Sequence, residues 1–289
     1  MRITRAIAVP LLFLTAALFT AGCGGGDGDS KDSAGTKDGA GSSLIKTPPP
    51  LEAGGELVVC TDVPYPPAEF IEDGKFVGYE IDLMDEVADR IGVTTEYEKT
   101  LFDAIIPSLQ GKKCDAIISS MNVTPEREKA VNFVPYMEIG QSIMVRGGEA
   151  EGISSLEDLA GKSVAVQVGT TLKATLEEVS ADLDDPIDVQ TFPDAGAAAA
   201  AVKGQKVDAF FGDSPLVAEY VVKDPKSFEF AGEPIDPLPV GIATRLEDTE
   251  LQDAIQKAVD SMYEDGTMKE LLAKWNVEDF MLSDSAEEA

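Results

Sequence analysis

The chain has 289 residues, 44% of them hydrophobic, enough length and apolar character to bury a core in one or two lobes of ordinary size. Its 23 basic and 53 acidic residues give a net charge of −30, which repels nucleic-acid phosphate and excludes a nucleic-acid partner. It has no histidine and only three cysteines, so histidine-based nucleophiles, imidazole-bound zinc and a four-cysteine cluster are excluded, and no metal or cofactor is expected.

Arg2 and Arg5 precede an apolar run from Ala6 to Phe19, shorter than the roughly 20 residues that cross a bilayer. Thr20-Ala21-Gly22 then leads to Cys23. A basic start, a short apolar stretch and small residues at a cleavage site read as an export signal over residues 1–22. A cysteine directly after Ala-Gly resembles a bacterial lipobox, which implies cleavage before Cys23, a diacylglyceryl group on its sulfur and a lipid anchor on the extracytoplasmic face of the bacterial cell membrane. A plain secretory signal with an incidental cysteine is the alternative. Residues 23–55 are rich in glycine and serine and include Pro48-Pro49-Pro50, the composition of a flexible tether with a stiffened end. Cys60 and Cys114 form an even pair in an exported chain, to be read either as a disulfide or as two buried thiols.

From residue 56 the pattern alternates. Leu57–Cys60 is a short apolar strand, and residues 80–91 place Ile81, Met84, Val87, Ala88 and Ile91 on one helical face. Val93–Tyr97 is strand-like, 102–110 a second amphipathic helix and Asp115–Ser119 a buried-looking strand. The order then returns: strand Ser163–Val168, helix 171–179, strand Ile187–Thr191, an alanine-rich helix 194–203 capped by Asp194, and strand Val207–Phe211. Strands alternating with helices predict a parallel sheet with right-handed crossovers, once per half. Leu238–Thr244 and helices over 248–263 and 267–275 follow, and the chain is expected to cross back onto the first lobe near Gln141–Val145 and Pro239–Ala243.

Gly111-Lys112-Lys113-Cys114-Asp115-Ala116 and Gly204-Gln205-Lys206-Val207-Asp208-Ala209 echo each other, which puts Ser120 and Asp213 at matching places after the last strand of each half. In open parallel sheets ligands bind beyond the carboxyl ends of the strands. Arg127 follows a capped helix start at Thr124-Pro125, where it is placed to grip a carboxylate or else is a solvated surface arginine. Gly169-Thr170-Thr171 opens a helix whose N–H groups suit the same anion, ordinary threonine capping being the alternative. Asp213, before Ser214-Pro215, is an ammonium acceptor or a helix cap. Tyr65 and Phe102 form a ligand wall or part of the core. Together these groups describe a site for a free α-amino acid.

The segments Thr61 to Pro67, Gly78 to Leu83, Phe102 to Leu109, Ser120 to Arg127, Val168 to Thr171 and Asp208 to Pro215 resemble the family-3 extracellular solute-binding proteins, the amino-acid-binding components of ABC importers. The resemblance spans about residues 56 to 277. It implies an α/β, type II periplasmic-binding fold with two βαβαβ lobes joined by a two-strand hinge. Lobe 1 would comprise 56–142 and 240–282, lobe 2 would comprise 143–239, and 283–289 would be an acidic tail. It further implies that Arg127 binds the ligand carboxylate with the Asn122 backbone and Thr171, that Ser120 and Asp213 bind the ammonium, and that Tyr65 and Phe102 enclose the side chain, with Asp62 and Gln167 further out. Asn122 departs from the usual threonine or serine. Ala68 replaces an aromatic residue, which is expected to open the pocket. Asp62 and Glu69 hint at a polar or cationic ligand, whereas Lys173 would suit an acidic one. The implied partners are permease subunits of an ABC transporter and, through the anchor, a membrane; the chain is taken as a monomer and not an enzyme. A sensory module for a membrane receptor and a dehydratase or lyase on the same fold are the competing functions.

Overall fold

The computed structural model describes residues 45–48, 51 and 55–282. The export signal, Cys23, most of the tether and the acidic tail lie outside the described residues.

The first βαβαβ unit runs β1 (Glu56–Thr61), α1 (Tyr79–Ile91), β4 (Thr94–Lys99), α2 (Phe102–Gln110) and β5 (Ala116–Ile117). A hairpin of β2 (Phe70–Glu72) and β3 (Lys75–Val77) is inserted after β1. Its turn is Asp73-Gly74, both left-handed at φ 49° and 77°, the conformation that a two-residue hairpin turn requires. The second unit runs β7 (Ser163–Gln167), α3 (Thr171–Ala181), β8 (Asp188–Phe192), α4 (Ala195–Lys203) and β9 (Ala209–Asp213), then α5 (Ser214–Lys223). The predicted cap of α4 is present, with the Asp194 carboxylate accepting from Ala197 N at 2.7 Å. Both units place β1 or β7 centrally between parallel neighbours.

Two long antiparallel strands, β6 (Val131–Arg146) and β10 (Phe228–Arg245), join the units into one eight-stranded sheet of order β4-β1-β5-β10-β6-β9-β7-β8. One end of β10 pairs with β5 through Ala243 and Thr244; the other end of β6 pairs with β9 over Gln141–Val145. Between these ends the register slips at Ala231/Ile235, Ile235/Leu238 and Val240/Gly241. Prolines at 234, 237 and 239 remove backbone donors there, so the ladder is thinnest where the chain passes between lobes. This is the α/β two-lobed architecture with a two-strand hinge.

Helices α6 (Thr249–Asp265) and α7 (Thr267–Lys274) return to the first lobe, as expected. Leu251, Ile255, Val259, Met262, Met268 and Leu272 share a core with Leu83, Met84 and Val87 of α1. Ile45 and Leu51 enter that core at 8% and 7% exposure, and Thr47 Oγ1 donates to Ile91 O at 2.8 Å. Ile45, Thr47 and Leu51 belong to the stretch read as tether yet lie on lobe 1; so few apolar residues in a polar run give too little pattern to show it. On the opposite sheet face of lobe 1, α2 packs over a disulfide between Cys60 and Cys114, whose Cα atoms are 5.7 Å apart. Of the two readings of this pair, the bridge is the one present. Lobe 2 has a separate core on each face, one beneath α3 and one beneath α4 and α5.

Candidate functional site

The carboxyl ends of β1 and β5 in lobe 1 face those of β7 and β9 in lobe 2, and the crevice between them is lined by Tyr65, Phe102, Ser120, Asn122, Gln167 and Asp213, among others. The lobes are in direct contact here. Gln167 Nε2 donates to Asp62 Oδ2 at 2.5 Å, Tyr65 OH to Asp213 Oδ2 at 2.6 Å, and Thr171 Oγ1 to Asn122 Oδ1 at 2.8 Å. Arg127 Nη2 donates to Gly169 O at 3.1 Å. All nine predicted binding residues are thus within one constellation.

Arg127 sits on a short 3-10 turn, Arg127–Lys129, whose entry is set by Thr124 Oγ1 accepting from Arg127 N at 3.2 Å. Its Nη1 donates to Asn122 O at 2.9 Å, and its guanidinium lies 5.4 Å from the centre of the Phe102 ring. Both polar contacts are to backbone carbonyls. No carboxylate lies within ion-pair distance among the described residues, and burial lowers its pKa while the charge of Asp213 opposes that shift. The Nδ2 atom of Asn122 is buried without an acceptor. An unpaired buried N–H group beside a guanidinium without an anion is a receptor for a carboxylate.

Two buried carboxyl groups belong to the same constellation. Asp213 is 6% exposed and Asp62 3%. Burial is the main cause that pushes both carboxyl groups up to about 6, against a hydrogen bond from Tyr65 in one case and from Gln167 in the other. The Oδ1 atom of Asp62 has no donor. Asp213 heads α5 but makes no side-chain cap, and Thr170 heads α3 with its hydroxyl turned to Gln167 O at 2.8 Å instead. The capping alternatives for both positions are therefore overturned. Gly169 holds the two halves close: it is left-handed at φ 82°, and a Cβ there would meet Asp103 Cα of lobe 1 at 3.0 Å.

Three expectations fail. Ala68 is 1% exposed in the lobe 1 core, so the missing aromatic ring changes packing rather than pocket volume. Lys173 pairs with Glu177 at 2.5 Å, one turn along α3, and is not in the crevice. Glu69 is fully buried behind the crevice wall, where it accepts from Ser119 Oγ at 2.7 Å. The sequence reading also missed Glu80, Tyr79 and Tyr136, which support Ser120 from behind. Among the described residues no group of three or more cysteine, aspartate or glutamate side chains is arranged to hold a metal.

A two-lobed crevice with a cationic donor set facing an acidic one defines a binding protein for small dipolar solutes. Residues 57–278 match the family model for bacterial extracellular solute-binding proteins, family 3, and the chain belongs to that family. A putative ABC transporter arginine-binding protein 2 of Escherichia coli strain K12 is 31% identical over 82% of this chain and 95% of its own length. An ancestral arginine-binding protein solved with arginine is 39% identical with a TM-score of 0.73, covering 76% of this chain and 98% of that one. An ancestral amino acid-binding protein described as a precursor of cyclohexadienyl dehydratase is 36% identical with a TM-score of 0.72, covering 78% and 97%.

Proposed function

We propose that this chain captures a free α-amino acid between its lobes, with a cationic side chain favoured, and passes it unchanged to an ABC importer. The observation that carries this reading is the set of unpaired groups around one crevice: Arg127 without an anion and Asn122 Nδ2 without an acceptor, together with Asp62 and Asp213 without an ion-paired cation. The Arg127 end takes the α-carboxylate. Asp213 and Ser120 take the α-ammonium, Tyr65 and Phe102 flank the side chain, and Asp62, held by Gln167, meets its far end. The buried carboxyl groups Asp62 and Asp213 outnumber the one guanidinium, so a cationic ligand offsets their charge better than a neutral one. The arginine-binding relatives support the same choice.

Capture proceeds by closure about the β6/β10 crossing, and the interlobe contacts described above are the ones a ligand would replace or join. The lipid on Cys23, left after cleavage of the export signal, would keep the domain near its permease at high local concentration. Calorimetric titration with the common amino acids tests the reading. A ligand at 100 times its Kd raises stability by about 2.7 kcal/mol, so a thermal-shift screen finds the same compound independently. Absence of binding by any amino acid overturns the proposal, and recovery of a chemically altered ligand by mass spectrometry would favour the dehydratase or lyase reading instead. Import by vesicles carrying the cognate permease separates transport from a purely sensory role.

A further inference from the structure

Behind Ser120 lie two glutamates that the binding reading does not use. Glu69 and Glu80 are both 0% exposed, accept from the hydroxyls of the adjacent residues Ser119 at 2.7 Å and Ser120 at 2.6 Å, and lie close enough that each raises or lowers the other's pKa. Neither has a lysine or arginine within ion-pair distance among the described residues. The other titratable groups facing them are Tyr79 from α1, Tyr136 from β6, Asp62 and Tyr65 after β1, and Asp213 from β9. None of these is a cation. Two ionised carboxylates in contact in such a place repel strongly, so one of them keeps its proton.

The hydrogen bonds say which. Glu80 accepts from Ser120 N at 2.9 and 3.1 Å through its two oxygens, from Ser120 Oγ at 2.6 Å, and from Tyr136 OH. Glu69 accepts only from Ser119 Oγ, and its Oε2 is buried with no donor. An oxygen without a donor, close to a carboxylate already rich in donors, is the place for that proton. We propose that Glu69 and Glu80 form a one-proton acid pair whose single negative charge, on Glu80, fixes Ser120 as the acceptor for the ligand's ammonium group. The assignment of that ligand group rests on the amino-acid reading above.

Ser120 is a non-glycine residue at φ 42°, a left-handed conformation that needs external support. Glu80 supplies it through both the N–H and the hydroxyl. Because the hydroxyl hydrogen points at Glu80, the Ser120 oxygen turns its lone pairs elsewhere: toward Tyr79 OH at 3.4 Å and toward the crevice that Ser120 lines. Glu80 is therefore a positioning residue, and Glu69 keeps it paired without adding a second charge.

Two variants test this. Glu80→Gln replaces the charge with a neutral amide; affinity for L-arginine is expected to fall about tenfold, the worth of one charged hydrogen bond. The loss should shrink to about twofold or less for 5-guanidinopentanoate, arginine without its α-amino group, because that probe does not contact Ser120 through an ammonium. Equal losses on both probes, or no loss on arginine, would overturn the positioning role. Glu69→Gln keeps a donor toward Glu80 but has no proton to lose. Burial and the neighbouring charge hold the Glu69 pKa above its unfolded value, so its contribution is complete at low pH and is lost as pH rises. The melting temperature of ligand-free Glu69→Gln should therefore gain on that of the unsubstituted protein as pH is raised from about 5 to about 9. A constant difference overturns the shared proton. Failure of the unsubstituted protein to bind any amino acid strikes the ligand assignment, whereas the Glu69→Gln profile is read without ligand.

Discussion

The two lobes repeat one βαβαβ pattern but divide the work unequally. Lobe 1 brings Asp62, Tyr65, Ser120 and Asn122 to the crevice from the segments after β1 and β5, Phe102 from the start of α2 and Arg127 from a 3-10 turn, and the Cys60–Cys114 bridge ties β1 to the chain just before β5. Lobe 2 supplies Gln167, Thr171, Asp213 and the backbone of Gly169, and has no disulfide among the described residues. Its α4 is built largely of alanine, Ala195 to Ala201 around Gly196, so that helix packs close to the sheet and leaves the larger side chains of this face to Phe210, Leu216 and Phe228. On the proposed reading, lobe 1 is the braced receptor and lobe 2 the closing partner. Binding residues on a braced scaffold lose less freedom when the ligand arrives.

Removing the receptor's main donor should have the largest effect. Arg127→Ala leaves a ligand carboxylate buried without its partner and should weaken amino-acid binding by about 2–5 kcal/mol, measured by calorimetry. The same truncation at Thr171 removes only one hydroxyl contributed by lobe 2 and should cost about 0.5–1.5 kcal/mol. A comparable loss at both positions would contradict the division of labour.

Breaking the brace comes next. The bridge closes a loop between positions 54 apart in sequence, for which chain entropy gives about 4 kcal/mol at most and experience about 2–4 kcal/mol. Cys60→Ala with Cys114→Ala should lower folding stability by that amount in a chemical denaturation series, and the loss should fall on lobe 1. Hydrogen exchange that instead loosens lobe 2 would show that the brace acts elsewhere.

A pH series separates the two sides of the site. Asp62 and Asp213 are raised to about 6 in the free protein. A ligand cation favours their charged forms, so affinity should be flat above about pH 7 and fall by up to tenfold per unit per group as pH drops below 6. Stability without ligand runs the other way. Both carboxyl groups are raised on folding, so what they contribute is complete below the unfolded value and declines as pH rises through about 6. Asp213→Asn should remove part of each slope. If affinity rose toward acid, the acidic face would not be where the cation binds.

Much of this was legible in the chain. The 3.6-residue spacing of Ile81, Met84, Val87 and Ile91 gives α1, and Asp194 followed by small apolar residues gives the capped start of α4. The echo between Cys114-Asp115-Ala116 and Val207-Asp208-Ala209 places Ser120 and Asp213 at equivalent strand ends. What escaped was set by distant partners. Strand β6 runs through both lobes, so its side chains change neighbours midway and Pro135 interrupts its pattern. Glu80 reads as an ordinary acid in a first helical turn, since Ser120 and Tyr136, which bury it, lie 40 and 56 residues on. The β2–β3 hairpin is absent from the sequence reading, because strands of three residues carry no periodicity to mark them even with Asp73-Gly74 between them.

The smallest expected effect concerns the contact where closing partner meets receptor. Gly169 is left-handed and its α-carbon faces the start of α2, so a methyl group would meet Asp103 Cα at 3.0 Å and Cβ at 3.2 Å. Backbone on both sides leaves little room to yield. Gly169→Ala should cost about 1 kcal/mol in stability from the backbone conformation alone. It should also hold the lobes slightly apart, which lengthens the Arg127 bond to Gly169 O and weakens ligand binding by about 1–2 kcal/mol through faster release. Scattering measurements with and without ligand should show a smaller contraction than in the unsubstituted protein. If the variant closes fully and releases ligand at the normal rate, the close approach at Gly169 is packing detail rather than part of the jaw, and closure must be limited by the β6/β10 crossing itself.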